Sequence, residues 1–169
     1  MKLLIRQRVF SWTDSYDVYD ETGRPKYFVK AEWFTLGHQI HVYEKATGRE
    51  VGSIHQKLFR FLPAFEIVLN GQTMGTVRKE FTFFSPRYSI DYQGWTAEGD
   101  LFGWDYDVRR GNVTVLHISK ELFTWGDTYA MTFENPAVEM PGLLLVIAID
   151  ALAARSIRRL GTTIQLTDT

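Results

Sequence analysis

The chain has 169 residues, of which 45% are hydrophobic and 23% are charged, and this balance excludes an intrinsically disordered protein. Its formal net charge of -1 excludes the strongly basic character of a typical nucleic-acid-binding domain, so we expect no nucleic-acid partner. The sequence contains no cysteine, which rules out disulfides, thiolate metal sites and a cysteine nucleophile. The length fits a single domain over residues 1–169.

The beginning of the sequence lacks the pattern of a signal peptide. Residues 3–5 are three apolar residues between charged neighbours, whereas a signal-peptide core needs roughly 7–15. The longest apolar run, Leu143 to Ala154, lies near the other end and contains Asp150. As a helix it would be about 18 Å long, shorter than the roughly 30 Å hydrocarbon core of a membrane. We therefore expect a cytoplasmic protein with no transmembrane span.

A repeated pattern organises most of the chain. Residues 52–67 and 75–90 align without a gap at an offset of 23, with matching glycine, aromatic and proline positions. Residues 10–18 and 123–131 align in the same way through shared Phe, Trp, Asp and Tyr. Apolar and polar residues alternate within the units, as in Ile40-His41-Val42, and this period of two is typical of strands. Six units emerge, each interpreted as strand, turn, strand and glycine turn.

This repeat predicts twelve strands between about residues 3 and 134. Strands separated by turns at regular intervals indicate an all-β sandwich or barrel. The turns between units need residues that accept positive φ, which glycine does without strain. Five units are followed by such a residue: Gly23, Gly48, Gly71, Gly94 and Gly111.

The last part of the chain predicts a helix over about residues 139–159. Pro141 suits the first helical turn, and the apolar residues from Leu143 to Ile149 cover every face, so this helix must be buried all round. A twelve-stranded barrel is too wide to fill with its own side chains, and a helix about 10 Å across fills such a space. We therefore predict a mainly β fold, a twelve-stranded antiparallel β-barrel enclosing a central hydrophobic C-terminal helix. Gly161 is expected to cap this helix, and Thr162 to Leu166 to add an edge strand.

Several segments make the sequence similar to a known family. They are FSWTD at 10–14, VYDETG at 18–23, IHQKL at 54–58, FTWGDTY at 123–129 and IAID at 147–150. Over about residues 1–160 the chain resembles the LURP-one-related family in its bacterial form, within the Tubby C-terminal-like superfamily. The resemblance implies a twelve-stranded barrel around a central helix. It also implies relatedness to Tubby domains, which bind phosphoinositide headgroups, and to phospholipid scramblases. No Tubby headgroup motif aligns with this sequence, and the Cys-rich stretch of the scramblases is absent.

Motifs of catalytic and cofactor sites are missing from the sequence. His38 and His41 are three residues apart, which on a strand places them on opposite faces, so we expect no metal site and interpret His38 as a hairpin-turn residue. There is no Gly-x-Ser-x-Gly and no Gly-rich phosphate loop, and the glycines at repeat spacing are explained as turn residues. A Ser-His-Asp triad without a local signature stays open. We predict no catalytic residues, no metal and no cofactor.

Asp150 is the most informative single charge because it interrupts the apolar run. One interpretation is a buried acid with a raised pKa, available for proton transfer. The interpretation that we favour is structural: a carboxylate paired with an Arg, a Lys or a Trp N–H of the barrel wall, or a group emerging at the barrel rim.

Basic clusters are the candidates for ligand binding. Gathered at one barrel rim they would bind phosphate-bearing headgroups, each charge near an anionic surface contributing about 1 kcal/mol. The alternative is a set of ordinary solvated charges beside Asp and Glu. The candidate residues are Lys57, Arg78, Lys79, Arg109, Arg110, Arg155, Arg158 and Arg159.

These observations favour a non-enzymatic binding or scaffold module. Its expected partner is an anionic phospholipid at a membrane surface, or a protein, and the module would then be peripheral to the membrane. Two alternatives stay open. One is an enzyme with its site in a barrel mouth. The other is a scramblase-like lipid-handling protein whose C-terminal helix leaves the barrel.

Overall fold

The computed structural model describes residues 1–6, 15–34, 37–57, 62–80, 87–101, 103–123 and 126–164, without the side chains of residues 6, 33–34, 87, 122–123, 127 and 154–164. The strands are β1 Lys2–Arg6, β2 Tyr16–Asp20, β3 Pro25–Phe34, β4 Gly37–Glu44, β5 Glu50–Lys57, β6 Ala64–Leu69, β7 Gln72–Glu80, β8 Arg87–Tyr92, β9 Trp95–Asp100, β10 Asp105–Arg110, β11 Val113–Phe123 and β12 Gly126–Phe133. A short 3₁₀ helix at Pro136–Val138 leads into α1, Glu139–Ile164.

The twelve strands form one antiparallel sheet that curls into a nearly closed barrel. Strands that follow each other in the chain pair with each other, and β1 pairs with β12, with Leu3 opposite Met131 and Ile5 opposite Tyr129. The strand order begins with β8 and ends with β9, so the barrel stays open between these two consecutive strands. The predicted twelve-stranded barrel is confirmed, with this one gap.

The predicted glycine turns are also confirmed. All five glycines that follow the repeat units have positive φ, between 57° and 83°. In the turn between β6 and β7, Asn70 with φ 48° precedes Gly71 with φ 78°, so both central residues have positive φ. Consecutive positive φ angles are typical of turns whose twist matches that of the flanking strands.

Gly52 and Gly75, however, are not turn residues, and the prediction that repeat-spaced glycines mark turns is wrong for them. They lie inside β5 and β7. A Cβ atom on Gly75 would lie 2.0 Å from the backbone oxygen of Asp91 on β8. A Cβ atom on Gly52 would lie 2.7 Å from Cδ1 of Leu144 on α1. These two glycines allow a neighbouring strand and the helix to approach closely.

The beginning of α1 follows the prediction, and its end does not. Pro141 lies in the first turn of α1, as predicted, and the side chain of Asn135 caps the preceding 3₁₀ helix by accepting a 3.0 Å hydrogen bond from the backbone N–H of Ala137. The helix then continues through Gly161 and Thr162 to Ile164, so the predicted cap and the start of the predicted edge strand are wrong. A single glycine inside a helix costs only about 1 kcal/mol relative to alanine, which is too little to end it. Residues 165–166 of that predicted strand lie outside the described residues.

The helix fills the barrel as predicted. Every side chain from Leu143 to Ile149 is at most 2% exposed, and inner-face residues of the wall such as Val18, Val77 and Val108 are fully buried against the same core. By length and composition alone, Pro136–Ala153 is also apolar enough to cross a membrane, yet 72% of this stretch is buried inside the protein. Burying each large apolar side chain contributes about 1.5–3 kcal/mol, so the helix is a main source of stability.

Candidate functional site

The barrel has two ends of different construction. The glycine-turn end carries the turns at residues 21–24, 45–49, 70–71, 93–94 and 111–112, and α1 begins there after β12. The other strand connections lie at the opposite end, which we call the helix-exit end because α1 runs towards it.

Contacts of α1 with the wall establish this direction. Near its start, Gly142 lies so close to Phe133 that a Cβ atom would be 2.9 Å from the Phe133 ring. Two turns later, Asp150 interacts electrostatically with Tyr16 and Tyr106, which lie where β2 and β10 leave the helix-exit end.

The structure divides the eight predicted basic residues between the two ends. Lys57 is the last residue of β5, and Arg78 and Lys79 lie near the end of β7, all towards the helix-exit end. Arg109 and Arg110 end β10 at the glycine-turn end. The remaining three, Arg155, Arg158 and Arg159, belong to the part of α1 that follows Ala153 in the direction of the helix-exit end.

Some of these cations are already held by neighbours. Arg109 lies 3.7 Å from Glu98, and its Nη2 donates a 3.0 Å hydrogen bond to the backbone oxygen of Asn112. Lys57 forms an ion pair with Glu66 across β5 and β6. Both match the interpretation of solvated, locally paired charges. Arg78 is exposed, and no ion pair with it is found within the described part of the chain.

Sequence reasoning missed a set of polar side chains on the inner face of the wall near the helix-exit end. Residues two apart on a strand share a face, so Tyr16 lies on the same face as Val18, Lys79 as Val77, and Tyr106 as Val108. We call this set the inner polar residues: Tyr16, His38, Gln56, Lys79, Tyr88 and Tyr106.

Two pairs of the inner polar residues are neighbours across strands. The backbone N–H of His38 donates a 3.2 Å hydrogen bond to Oε1 of Gln56, and Lys79 is directly opposite Tyr88. The alternation of each strand could have indicated which face these residues occupy. It could not have indicated that all of them gather towards one end, because that depends on the strand register.

The helix brings one carboxyl group, that of Asp150, to the same end. Its side chain is half-buried, and desolvation raises the pKa of Asp150 well above its ordinary value. Burial is the larger cause of the raised pKa values of Tyr16 and Tyr106, and the negative charge of Asp150 raises both values further. Desolvation is the cause of the Asp150 shift, which fits a carboxyl group in a poorly solvated position on α1. A carboxyl group with a raised pKa keeps its proton to a higher pH than an exposed aspartic acid does, and the protonated form donates a hydrogen bond.

The two histidines of the His38-x-x-His41 pattern lie on opposite faces of β4, as predicted. His38 is 3% exposed on the inner side, and it lies within the strand, so the prediction that it is a hairpin-turn residue is wrong. Nδ1 of His41, on the outer side, is 3.1 Å from Glu50. Among the residues that the structure describes, no group of three or more His, Asp or Glu side chains is arranged to hold a metal ion.

Comparison with known proteins gives the family. A family model described as LURP-one-related matches residues 1–150. The chain belongs to the LURP-one-related family. The protein YxjI of Bacillus subtilis (strain 168), whose name describes it as uncharacterized, is 31% identical over 129 residues, which cover 76% of this chain and 79% of YxjI.

A solved structure supports the fold of this LURP-one-related chain. The X-ray structure of a protein from Arabidopsis thaliana matches it with a TM-score of 0.59 and 14% identity, covering 89% of each chain. At this identity the likeness concerns the fold alone. The candidate site of the LURP-one-related barrel is its helix-exit end, towards which Arg78, the inner polar residues, Asp150 and the part of α1 after Ala153 all lie.

Proposed function

We propose that this LURP-one-related chain is a non-enzymatic module that binds anionic phospholipid headgroups at the helix-exit end of its barrel. It would then be a peripheral protein at the cytoplasmic surface of a membrane. One observation carries the proposal. The strand order and the direction of α1 bring Arg78 and Lys79 to the same end as the helical segment that contains Arg155, Arg158 and Arg159.

The spacing of the helical arginines supports this proposal. Positions 155, 158 and 159 are related by three and four residues, so they lie on one face of α1. Each cation near an anionic membrane surface contributes about 1 kcal/mol, so three or four together give useful affinity. The net charge of the chain is only -1, and the attraction would therefore come from this end rather than from the protein as a whole.

The pair Arg109 and Arg110 at the glycine-turn end provides a matched control. Arg158→Gln with Arg159→Gln removes two positive charges at the helix-exit end, and Arg109→Gln with Arg110→Gln removes two at the opposite end. Flotation with vesicles of phosphatidylcholine, with and without phosphatidylserine, measures binding. We expect the wild type to bind only the anionic vesicles and to be released by salt. The helix-exit pair should lower the affinity by about 30-fold, since two charges contribute about 2 kcal/mol.

The control variant determines how the result is interpreted. It should bind as tightly as the wild type, because its charges face away from the proposed surface. An equal loss in both variants would mean unspecific attraction to the whole protein and would contradict the proposed site. Absence of binding to anionic vesicles at low salt would remove the lipid proposal itself.

Asp150 favours a second candidate, a small-molecule or enzyme site inside the helix-exit end. A half-buried acid with a raised pKa beside two tyrosines is a pattern found in binding and catalytic clefts. A library of small polar compounds would test it by thermal shift. A ligand that stabilises the wild type but not Asp150→Asn supports this candidate, and stabilisation of both variants contradicts it.

Insertion in the manner of a scramblase has less support. It would require α1 to leave the barrel, and the side chains from Leu143 to Ile149 are nearly fully buried there. Exposing them would cost about 1.5–3 kcal/mol of folding free energy for each large residue, and it would also leave a cavity inside the barrel.

A further inference from the structure

The gap between β8 and β9 leaves two sheet edges without a partner strand among the residues that the structure describes. Eleven strand pairings join the twelve strands, and the missing one is between β8 and β9, although only Gln93 and Gly94 connect them. Near this turn the two strands are close, since the rings of Tyr92 and Trp95 contact at a centroid distance of 5.6 Å. Beyond the turn, no pairing joins the two strands in the described residues. The gap is therefore narrowest at the glycine-turn end, where the turn holds the strands together.

Exposure of the inner side chains confirms that the gap is open in the described residues. Val77 and Val108 are fully buried, and each is paired across the sheet with a residue of an edge strand. Their partners, Ile90 on β8 and Ala97 on β9, face the same interior but are only half-buried. On the two edge strands, burial of the inner face is therefore incomplete at Ile90 and Ala97, whereas Tyr92 and Trp95 beside the turn are buried. Along each edge, every second residue also directs its N–H and C=O groups into the gap.

The outer face of β9 and β10, on one side of the gap, is acidic. Glu98 of β9 is directly opposite Asp107 of β10, and Asp100 is directly opposite Asp105. Like charges that face each other across a pair of strands destabilise the sheet. Arg109 and His117 offset part of this charge, since Arg109 lies 3.7 Å from Glu98 and Nδ1 of His117 lies 2.8 Å from Asp107. No such cation is found beside Asp100 among the residues that the structure describes.

We propose that the gap between β8 and β9 is a docking site for an extended basic segment of a partner protein. The segment adds a strand between the two edges and pairs with their free N–H and C=O groups. Its residues alternate: apolar side chains face inward onto Ile90 and Ala97, and lysine or arginine side chains face outward onto Glu98 and Asp100. Since β8 and β9 each have six residues and are joined at residues 93–94, the segment is shorter than either strand, about four residues or roughly 13 Å long.

Amide hydrogen exchange of the free protein tests whether the edges are available. Residues of β8 and β9 whose N–H groups face the gap should exchange rapidly, whereas those that face β7 and β10 should exchange slowly. Slow exchange along both faces of β8 and β9 would show that the edges are already paired or covered, and it would overturn the proposal.

Fluorescence anisotropy with a labelled synthetic peptide of alternating Lys and Val tests the occupant. We expect binding, and we expect that an otherwise identical peptide with N-methylated backbone groups does not bind, because it cannot form the ladder. A peptide of alternating Glu and Val should also fail. Equal binding of the N-methylated peptide would mean charge attraction alone and would overturn strand addition. Absence of binding by the Lys and Val peptide would overturn the basic occupant.

Charge reversal locates the site. Glu98→Lys with Asp100→Lys should lower the peptide affinity about tenfold or more, since two charge pairs are lost. The matched control is Glu21→Lys with Glu134→Lys, which makes the same change in total charge away from the gap, and it should bind as the wild type does. An equal loss in both variants would overturn the assignment to the gap.

Discussion

The hydroxyl of Tyr27 on β3 donates a 2.6 Å hydrogen bond to Oε1 of Glu139, the first residue of α1. Nζ of Lys26 lies 2.6 Å from the same oxygen and 2.9 Å from Oε2. Glu139 is 4% exposed, and its negative charge lies at the positive end of the helix dipole. This carboxylate therefore anchors the beginning of α1 to the barrel wall at the glycine-turn end.

We expect Glu139→Gln to lower the free energy of unfolding by about 1–3 kcal/mol, because the amide cannot replace a charged acceptor between Tyr27 and Lys26. Urea denaturation measures the change. Glu134→Gln is the control, since Glu134 is exposed and should change stability by less than about 0.5 kcal/mol. Equal changes in the two variants would show that the contact with Tyr27 does not stabilise the fold.

Gly75 should be the glycine least tolerant of substitution among the strand glycines described. We expect Gly75→Ala to destabilise the protein by about 3 kcal/mol or more, because the new Cβ would lie 2.0 Å from the backbone oxygen of Asp91 and a strand must move. Gly111→Ala is the comparison. It has open space around the Cβ position but a φ of 57°, so it should lose only about 1–2 kcal/mol. If denaturant titrations rank the two variants in the reverse order, the close approach of β7 and β8 is wrong.

These two glycines show what the sequence could and could not predict. Gly111 follows a repeat unit at a regular interval, and local turn chemistry is enough to predict its positive φ. Gly75 matches Gly52 in the same repeat, yet both lie inside strands. Their role is to let a neighbouring element approach closely, which is α1 at Gly52 and β8 at Gly75. The distance from Gly75 to Asp91 is a property of the packed barrel and leaves no local signal.

The same distinction applies to the candidate site. The apolar faces of α1 predicted its burial, since a helix without a polar face has nowhere else to lie. The ends at which Arg78 and Arg109 lie could not be predicted from clusters along the chain, because adjacent antiparallel strands run in opposite directions. Lys79 shows this most clearly, since it follows Arg78 in sequence but faces the barrel interior. The gap between β8 and β9 could not be predicted from the sequence either, because the turn at Gln93 and Gly94 has the residues of an ordinary hairpin.

Asp150 should make the stability of the protein depend on pH in an unusual direction. Burial raises its pKa in the folded state above the value of about 3.9 expected in the unfolded chain. Between these two values the folded protein holds a proton that the unfolded chain has lost, so stability falls as the pH rises from about 4 through the folded pKa. Asp150→Asn cannot ionise. We therefore expect the variant to be more stable than the wild type at neutral pH, with the difference disappearing below about pH 4.

Asp20 supplies a control of opposite sign. Hydrogen bonds from the Thr22 hydroxyl, at 2.6 Å, and from backbone N–H groups lower the pKa of Asp20 in the folded state. Its ionised form is thus favoured by folding, and Asp20→Asn should lose stability at neutral pH, with the loss fading as the pH falls through the folded pKa. Thermal unfolding of both variants from pH 3 to pH 8 measures the two trends. Destabilisation by Asp150→Asn at every pH would mean that the carboxylate has a cationic partner. It would contradict the interpretation of Asp150 as a desolvated acid and favour a structural ion pair.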